Sequence, residues 1–177
     1  MKNLKWYFYL VATILFFVGI GYLRLSSTKS SVTALNRGGV RTYGKVTNKY
    51  KGIDYSYFVN GNLIERGQRT KPRGVLDGEI FEVIYDKNSP KESIINFHKP
   101  FIDSIKYDTV CTSSFNPVGN NNLLKLKYTY RGRSYERYHM ADLSNYENEG
   151  PYKVLVNRNR PEQSYMIDKS CSSNGQL

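Results

Sequence analysis

Histidine, cysteine, acidic residues and long apolar runs are all scarce in this sequence of 177 residues. Each scarcity excludes something. Only one stretch is apolar for long enough to matter, so a multi-span membrane protein is excluded. The two histidines, His98 and His139, form no spaced ligand set with the two cysteines, so no metal centre is expected. No P-loop, G-x-S-x-G or G-x-G-x-x-G occurs. A Cys111/His139/Asp142 nucleophilic group can be written down, but nothing local supports it. The carboxylate pairs Asp77/Glu79 and Glu147/Glu149 fall in turn-like surroundings, where Asp and Glu are ordinarily solvated. The chain therefore reads as a non-enzyme with no catalytic residue, no metal and no cofactor.

Acidic residues number 15 against 26 basic ones, a formal net charge of +11. Residues 1–25 carry +3. Residues 26–73 hold ten basic residues against Asp54 and Glu65, giving +8, and residues 74–177 balance. The excess fits a membrane surface or an acidic protein partner, or simply a solvated face. Nucleic acid is not expected as a partner, because the basic residues follow no helix-turn-helix, zinc-finger or RNP pattern.

Aromatic residues are abundant. Sixteen Tyr and eight Phe supply ample surface to bury, which excludes intrinsic disorder. The apolar run, WYFYLVATILFFVGIGYL from Trp6 to Leu23, has no charge and reaches roughly 27 Å as helix. Trp6, Tyr7 and Tyr22 stand at its ends, where amphipathic rings favour the headgroup layer. A cleaved signal peptide fits less well, since Tyr22-Leu23-Arg24 is a poor cleavage site. The expectation is a single transmembrane signal anchor over 1–25, then a small polar tether over 26–37.

Beyond the tether the sequence repeats itself. At an offset of 71, Tyr57 aligns with Tyr128, Gly61 with Gly132, and Glu65-Arg66 with Glu136-Arg137. The match continues through Val83/Val154, Asn88/Asn159, Pro90/Pro161 and Ser93/Ser164. Each copy reads as β: Tyr55, Tyr57 and Val59 alternate with polar positions before Asn60-Gly61, and Leu124, Leu126, Tyr128 and Tyr130 do so before Gly132. Later strands are expected at Ile80–Tyr85 and Tyr152–Asn157, final strands at Ser93–Phe97 and Ser164–Ile167, and opening strands at Thr42–Tyr50 and Tyr107–Phe115. The predicted fold is mainly β: two tandem five-stranded modules of SH3- or OB-type barrel, over 38–98 and 104–171, with a tail at 172–177. One merged β-sandwich is the alternative.

One apolar segment, a Gly44-Lys45-Val46 strand, Tyr57, the Gly61 turn, Gly78, and a Val83-Ile84-Tyr85 strand ending in Asn88-x-Pro90 form a pattern. It resembles a bacterial membrane-anchored domain family of unassigned function. The second copy keeps Tyr128, Gly132, Val154, Asn159 and Pro161 but has Val156 where Tyr85 stands. The resemblance implies a membrane-tethered β module and transfers no active site.

Cys111 falls on the opening strand of the second module and Cys171 follows its closing strand. First and last strands neighbour each other in a small closed barrel, so the pair is a candidate disulfide; two free thiols are the alternative. A bridge requires an oxidising compartment, which places the body outside the cytoplasm. The segment Tyr128–Tyr138 packs four Tyr and three Arg into one hairpin, and Tyr with Arg is typical of binding hot spots. Arg131, Arg133 and Arg137 are accordingly candidate contacts, as are Arg66, Arg69, Lys71 and Arg73 in the basic first module. The function expected is a single-pass, membrane-anchored, non-enzymatic binding or accessory module of the bacterial envelope. An immunity-type protein that neutralises a toxin at the membrane is the alternative.

Overall fold

A computed structural model describes residues 2–49, 52–69, 72–118, 123–140, 151–168 and 171. One helix, α1 (Lys2–Gly38), is followed by strands β1 (Val40–Lys49), β2 (Gly52–Val59), β3 (Asn62–Gln68), β4 (Ile80–Tyr85) and β5 (Ser93–Pro100). After a 3-10 turn at Ser104–Lys106 come β6 (Tyr107–Pro117), β7 (Leu123–Tyr130), β8 (Arg133–Met140), β9 (Lys153–Asn157) and β10 (Ser164–Asp168).

The chain divides into two units. The first comprises Met1–Val40 and Ile84–Ile94. Its helix runs on through residues 26–37, the expected tether, because neither Gly nor Pro falls between Gly21 and Gly38 to stop it. It closes with the Gly39 amide on the Leu35 carbonyl at 2.8 Å, and Leu35 is buried. Among the described residues no helix is long and apolar enough to cross a membrane. That finding corrects the expected transmembrane anchor over 1–25. In the same unit the Asp86 carboxylate accepts the amides of Asn88 (2.7 Å) and Ser89 (2.9 Å), shaping the turn between β4 and β5.

The second unit comprises Arg41–Val83 and Ile95–Leu177 and carries most of both sheets. The first sheet has the order β3-β2-β1-β4-β5 and the second β10-β9-β6-β7-β8. Read from the other edge, the second order is the first, strand for strand. The repeat seen in sequence is thus a repeat of topology, and the offset of 71 carries β2 onto β7 from end to end. The hairpins match as well: Asn60 and Gly61 have φ of 50° and 80°, Arg131 and Gly132 of 50° and 75°. Both central residues being left-handed defines a type I′ turn, whose twist suits a two-residue hairpin. Asn157 repeats the Asp86 turn, its side-chain oxygen accepting the amides of Asn159 and Arg160 at 3.0 and 3.1 Å.

Alternation dictates what is buried. On β7, Leu124, Leu126, Tyr128 and Tyr130 face inward and meet Tyr152, Val154, Val156 and Met166. On β2, Ile53, Tyr55, Tyr57 and Val59 do the same, near Val46, Phe81 and Val83 in their own sheet's core. Each sheet has two edges in its strand order, so the expected pair of closed barrels is replaced by two five-stranded sheets, one of them a half-barrel. The second sheet curls until its edge strands approach: the His139 ring on β8 stands edge-on to Tyr165 on β10, centroids 6.0 Å apart. A register shift in β6 between Thr112 and Ser114 supplies the extra bend.

Candidate functional site

The most closely knit polar cluster lies in the second unit, around Glu79. This residue ends the loop 72–79, and the loop's own geometry aims it inward: the Leu76 amide donates to Glu79 Oε2 at 2.8 Å. Glu79 Oε1 accepts from Arg137 Nη2 on β8 and, at 2.6 Å, from the Tyr165 hydroxyl on β10. The two charged side chains are 0% and 5% exposed. Arg137 Nη1 donates to the Glu162 carbonyl at 3.1 Å, and the guanidinium lies 4.9 Å from the centroid of the Tyr165 ring. Its Nε finds no partner among the described residues. Burial, then the Glu79 carboxylate, pushes the Tyr165 hydroxyl pKa up. Burial, then the Arg137 charge, brings the neighbouring His139 down to about 3, so its imidazole is neutral at physiological pH.

Beside this cluster is a cavity of about 10 Å³ lined by Arg73, Val75, Phe97, Arg137, His139 and Tyr165. It has room for about one water molecule, against the roughly 300–1,000 Å³ of a small-molecule site. A carboxylate that holds three donors in a buried site is a clasp. It fastens the loop before β4 to β8 and β10.

The expected contact residues disperse. Arg66 is exposed on β3 and Arg69 is exposed just after it, while Lys71 lies outside the described residues. Arg73 stacks on Tyr138 at 3.9 Å from the ring centroid and donates to its hydroxyl at 2.8 Å. Gly74, next to it, has φ +89°, and a Cβ there would sit 2.1 Å from the Tyr138 carbonyl oxygen. Arg131 and Arg133 are exposed at the second hairpin, Arg131 lying over the Tyr130 ring at 4.9 Å. Arg137, expected at the surface, is buried and corrects that expectation. It shares the inward parity of Tyr135 and His139 on β8, the one sequence signal that pointed to it. Nothing local marked its partners Glu79 and Tyr165.

Cys111 and Cys171 are joined in a disulfide, Cα to Cα 5.8 Å. No three His, Cys, Asp or Glu among the described residues gather as a metal site. Asp142, Glu147 and Glu149 lie outside those residues.

One surface is more apolar than the sequence suggested. On the outward face of the first sheet, Tyr43, Phe58 and Leu63 are exposed, as is Phe101 beyond β5. Phe58 stands directly opposite Leu63, and the Tyr43 and Phe101 rings meet edge to face at 4.9 Å. Compared with known proteins, the chain matches no family model, no curated protein and no solved structure.

Proposed function

We propose that this chain is a non-enzymatic binding or accessory module held at a membrane of the bacterial envelope, its β body folded in an oxidising compartment. The observation that carries the reading is the row of large apolar side chains that α1 presents to solvent. Ile14, Leu15, Phe16, Phe17 and Val18 are consecutive and all at least half exposed. Large apolar side chains left in water in such a row mark a surface with an occupant, and the headgroup boundary of a bilayer takes up apolar helix surface without the helix having to cross it. The basic surplus of residues 26–73 adds attraction to anionic headgroups, about 1 kcal/mol for each Lys or Arg near the surface. The Cys111–Cys171 bridge supports the compartment, since disulfides persist where thiols are not kept reduced.

The test is fractionation of cells that express the full chain. It is expected to stay with membranes through a high-salt wash and to show Cys111 and Cys171 bonded in non-reducing mass spectrometry. Recovery in the aqueous fraction overturns the membrane reading, and free thiols overturn the compartment.

A further inference from the structure

Neither the apolar helix nor the Glu79 clasp makes use of the outer edge of β3, which ends the first sheet. The hairpin decides which backbone groups that edge presents. Val59 and Asn62 flank a two-residue turn and exchange hydrogen bonds, as do the alternate pairs Tyr57–Ile64, Tyr55–Arg66 and Ile53–Gln68. The amides and carbonyls of Leu63, Glu65 and Gly67 therefore point away from β2. All three residues are exposed. Gly67 has no side chain, so what it exposes is backbone. No strand among the described residues pairs with this edge.

In the second module the same place is covered. Tyr138 matches Gly67, and the loop before β4 lies against it: Gly74 approaches the Tyr138 carbonyl too closely to admit a Cβ, and Arg73 stacks on the ring. One copy of the fold thus closes this edge with a segment of chain, and the other leaves it ready to take one up.

The chemistry of the edge selects its occupant. Groups that recur every second residue, about 6.8 Å apart, are matched by another extended backbone. A helix has already bonded its own groups, and lipid tails have none. Leu63 stands beside Phe58 on the outward side, both exposed, and calls for an apolar neighbour. On the other side Arg66 is exposed and holds no carboxylate among the described residues, so it calls for an acidic one. Glu65 and Asp54 stand against Arg69 on the outward side, which sets no further sign. A second copy of β3 cannot answer Arg66. Antiparallel strands joined at this edge set like parity opposite like, and Glu65, the one carboxylate of β3, has the other parity. We infer that the outer edge of β3 binds an extended segment of another protein as a sixth strand, with an apolar side chain opposite Leu63 and an acidic one opposite Arg66. This names the ligand class of the binding module proposed above and rests on that reading.

The experiment adds the synthetic peptide Thr-Thr-Glu-Thr-Val-Val-Thr to the purified full chain and follows amide hydrogen exchange. Laid antiparallel, its Glu falls opposite Arg66 and its second Val opposite Leu63. Exchange at Leu63, Glu65 and Gly67 is expected to slow by about tenfold or more. The same peptide N-methylated at the positions opposite those three is expected to give no protection. A peptide with Lys in place of its Glu is expected to bind about tenfold more weakly, and Arg66→Glu in the chain to restore it. Gly67→Pro removes an edge amide that β2 does not use and is expected to abolish protection at Leu63 and Glu65. Protection before any peptide is added, equal binding of the N-methylated or lysine peptide, or protection that survives Gly67→Pro overturns the inference. So does the absence of protection at every peptide concentration. The readout is the same whether or not the chain sediments with membranes, so this inference and the membrane reading fail separately.

Discussion

The two sheets share strand order, hairpin geometry and the turn between their fourth and fifth strands, yet the ties across them differ in chemistry. Where the second sheet ties its first strand to the segment after its last with Cys111–Cys171, the first sheet sets the rings of Tyr43 and Phe101 against each other. Aligned arginines part company as well. Arg66 is exposed, and its counterpart Arg137 is buried on Glu79. Strand parity and turn chemistry are therefore what this fold demands of its sequence. How the edges are tied, and what the outward face carries, are free to differ.

Breaking the clasp is the harshest way to set the copies apart. Glu79→Ala leaves the Arg137 charge buried without its carboxylate, and removing one partner of a buried pair costs about 3–5 kcal/mol. Denaturant unfolding is expected to show that loss, whereas Arg66→Ala leaves the midpoint where it was. An equal response at the two positions removes the distinction. Next comes the covalent tie. Cys111→Ser with Cys171→Ser opens a loop spanning a separation of 60 residues and is expected to cost about 4 kcal/mol by chain entropy. Phe101→Ala, at the equivalent tie of the first sheet, loses an aromatic pair contact of about 0.5–1.5 kcal/mol beyond its burial.

A smaller effect comes from His139, which takes the place that Gln68 holds in the first copy. Its folded pKa of about 3 lies below the unfolded value near 6.5. The unfolded chain therefore binds the proton first, and stability is full above pH 6.5 and falls as pH drops toward 3. Between pH 7 and pH 5 the loss amounts to about 2 kcal/mol. His139→Gln is expected to flatten that part of the stability profile, and a slope that survives the substitution assigns it to other groups. The smallest difference is in the turns. Arg131 holds a left-handed φ of 50° that Asn tolerates better. Arg131→Asn should raise stability by up to about 1 kcal/mol and Asn60→Arg lower it by a similar amount, both read from unfolding midpoints.

These contrasts also mark what was legible in the chain. The type I′ hairpins were, because Asn60-Gly61 and Gly132 announce themselves through residues that accept positive φ. So were the inward faces of β2 and β7, through simple alternation. The opening strands were harder to align, because the register shift in β6 breaks the common offset. Residues 26–37 looked like a tether because they are small and polar, but Ser, Thr and Asn only weaken a helix that nothing nearby ends. Arg137 looked like a surface residue because arginines are rarely buried. The carboxylate that makes its burial tolerable lies 58 residues away, and no local pattern spans that distance.

The clasp also sets an order of events. Glu79 finds Arg137 only after 58 further residues and Tyr165 after 86. On a ribosome adding about 5–20 residues per second, the loop before β4 therefore waits several seconds with its carboxylate held by water and the Leu76 amide alone. The first module has to emerge, pair its hairpin and remain partly open until β8 and β10 follow it out. Two copies that look like independent units in sequence must, for this one residue, finish folding together.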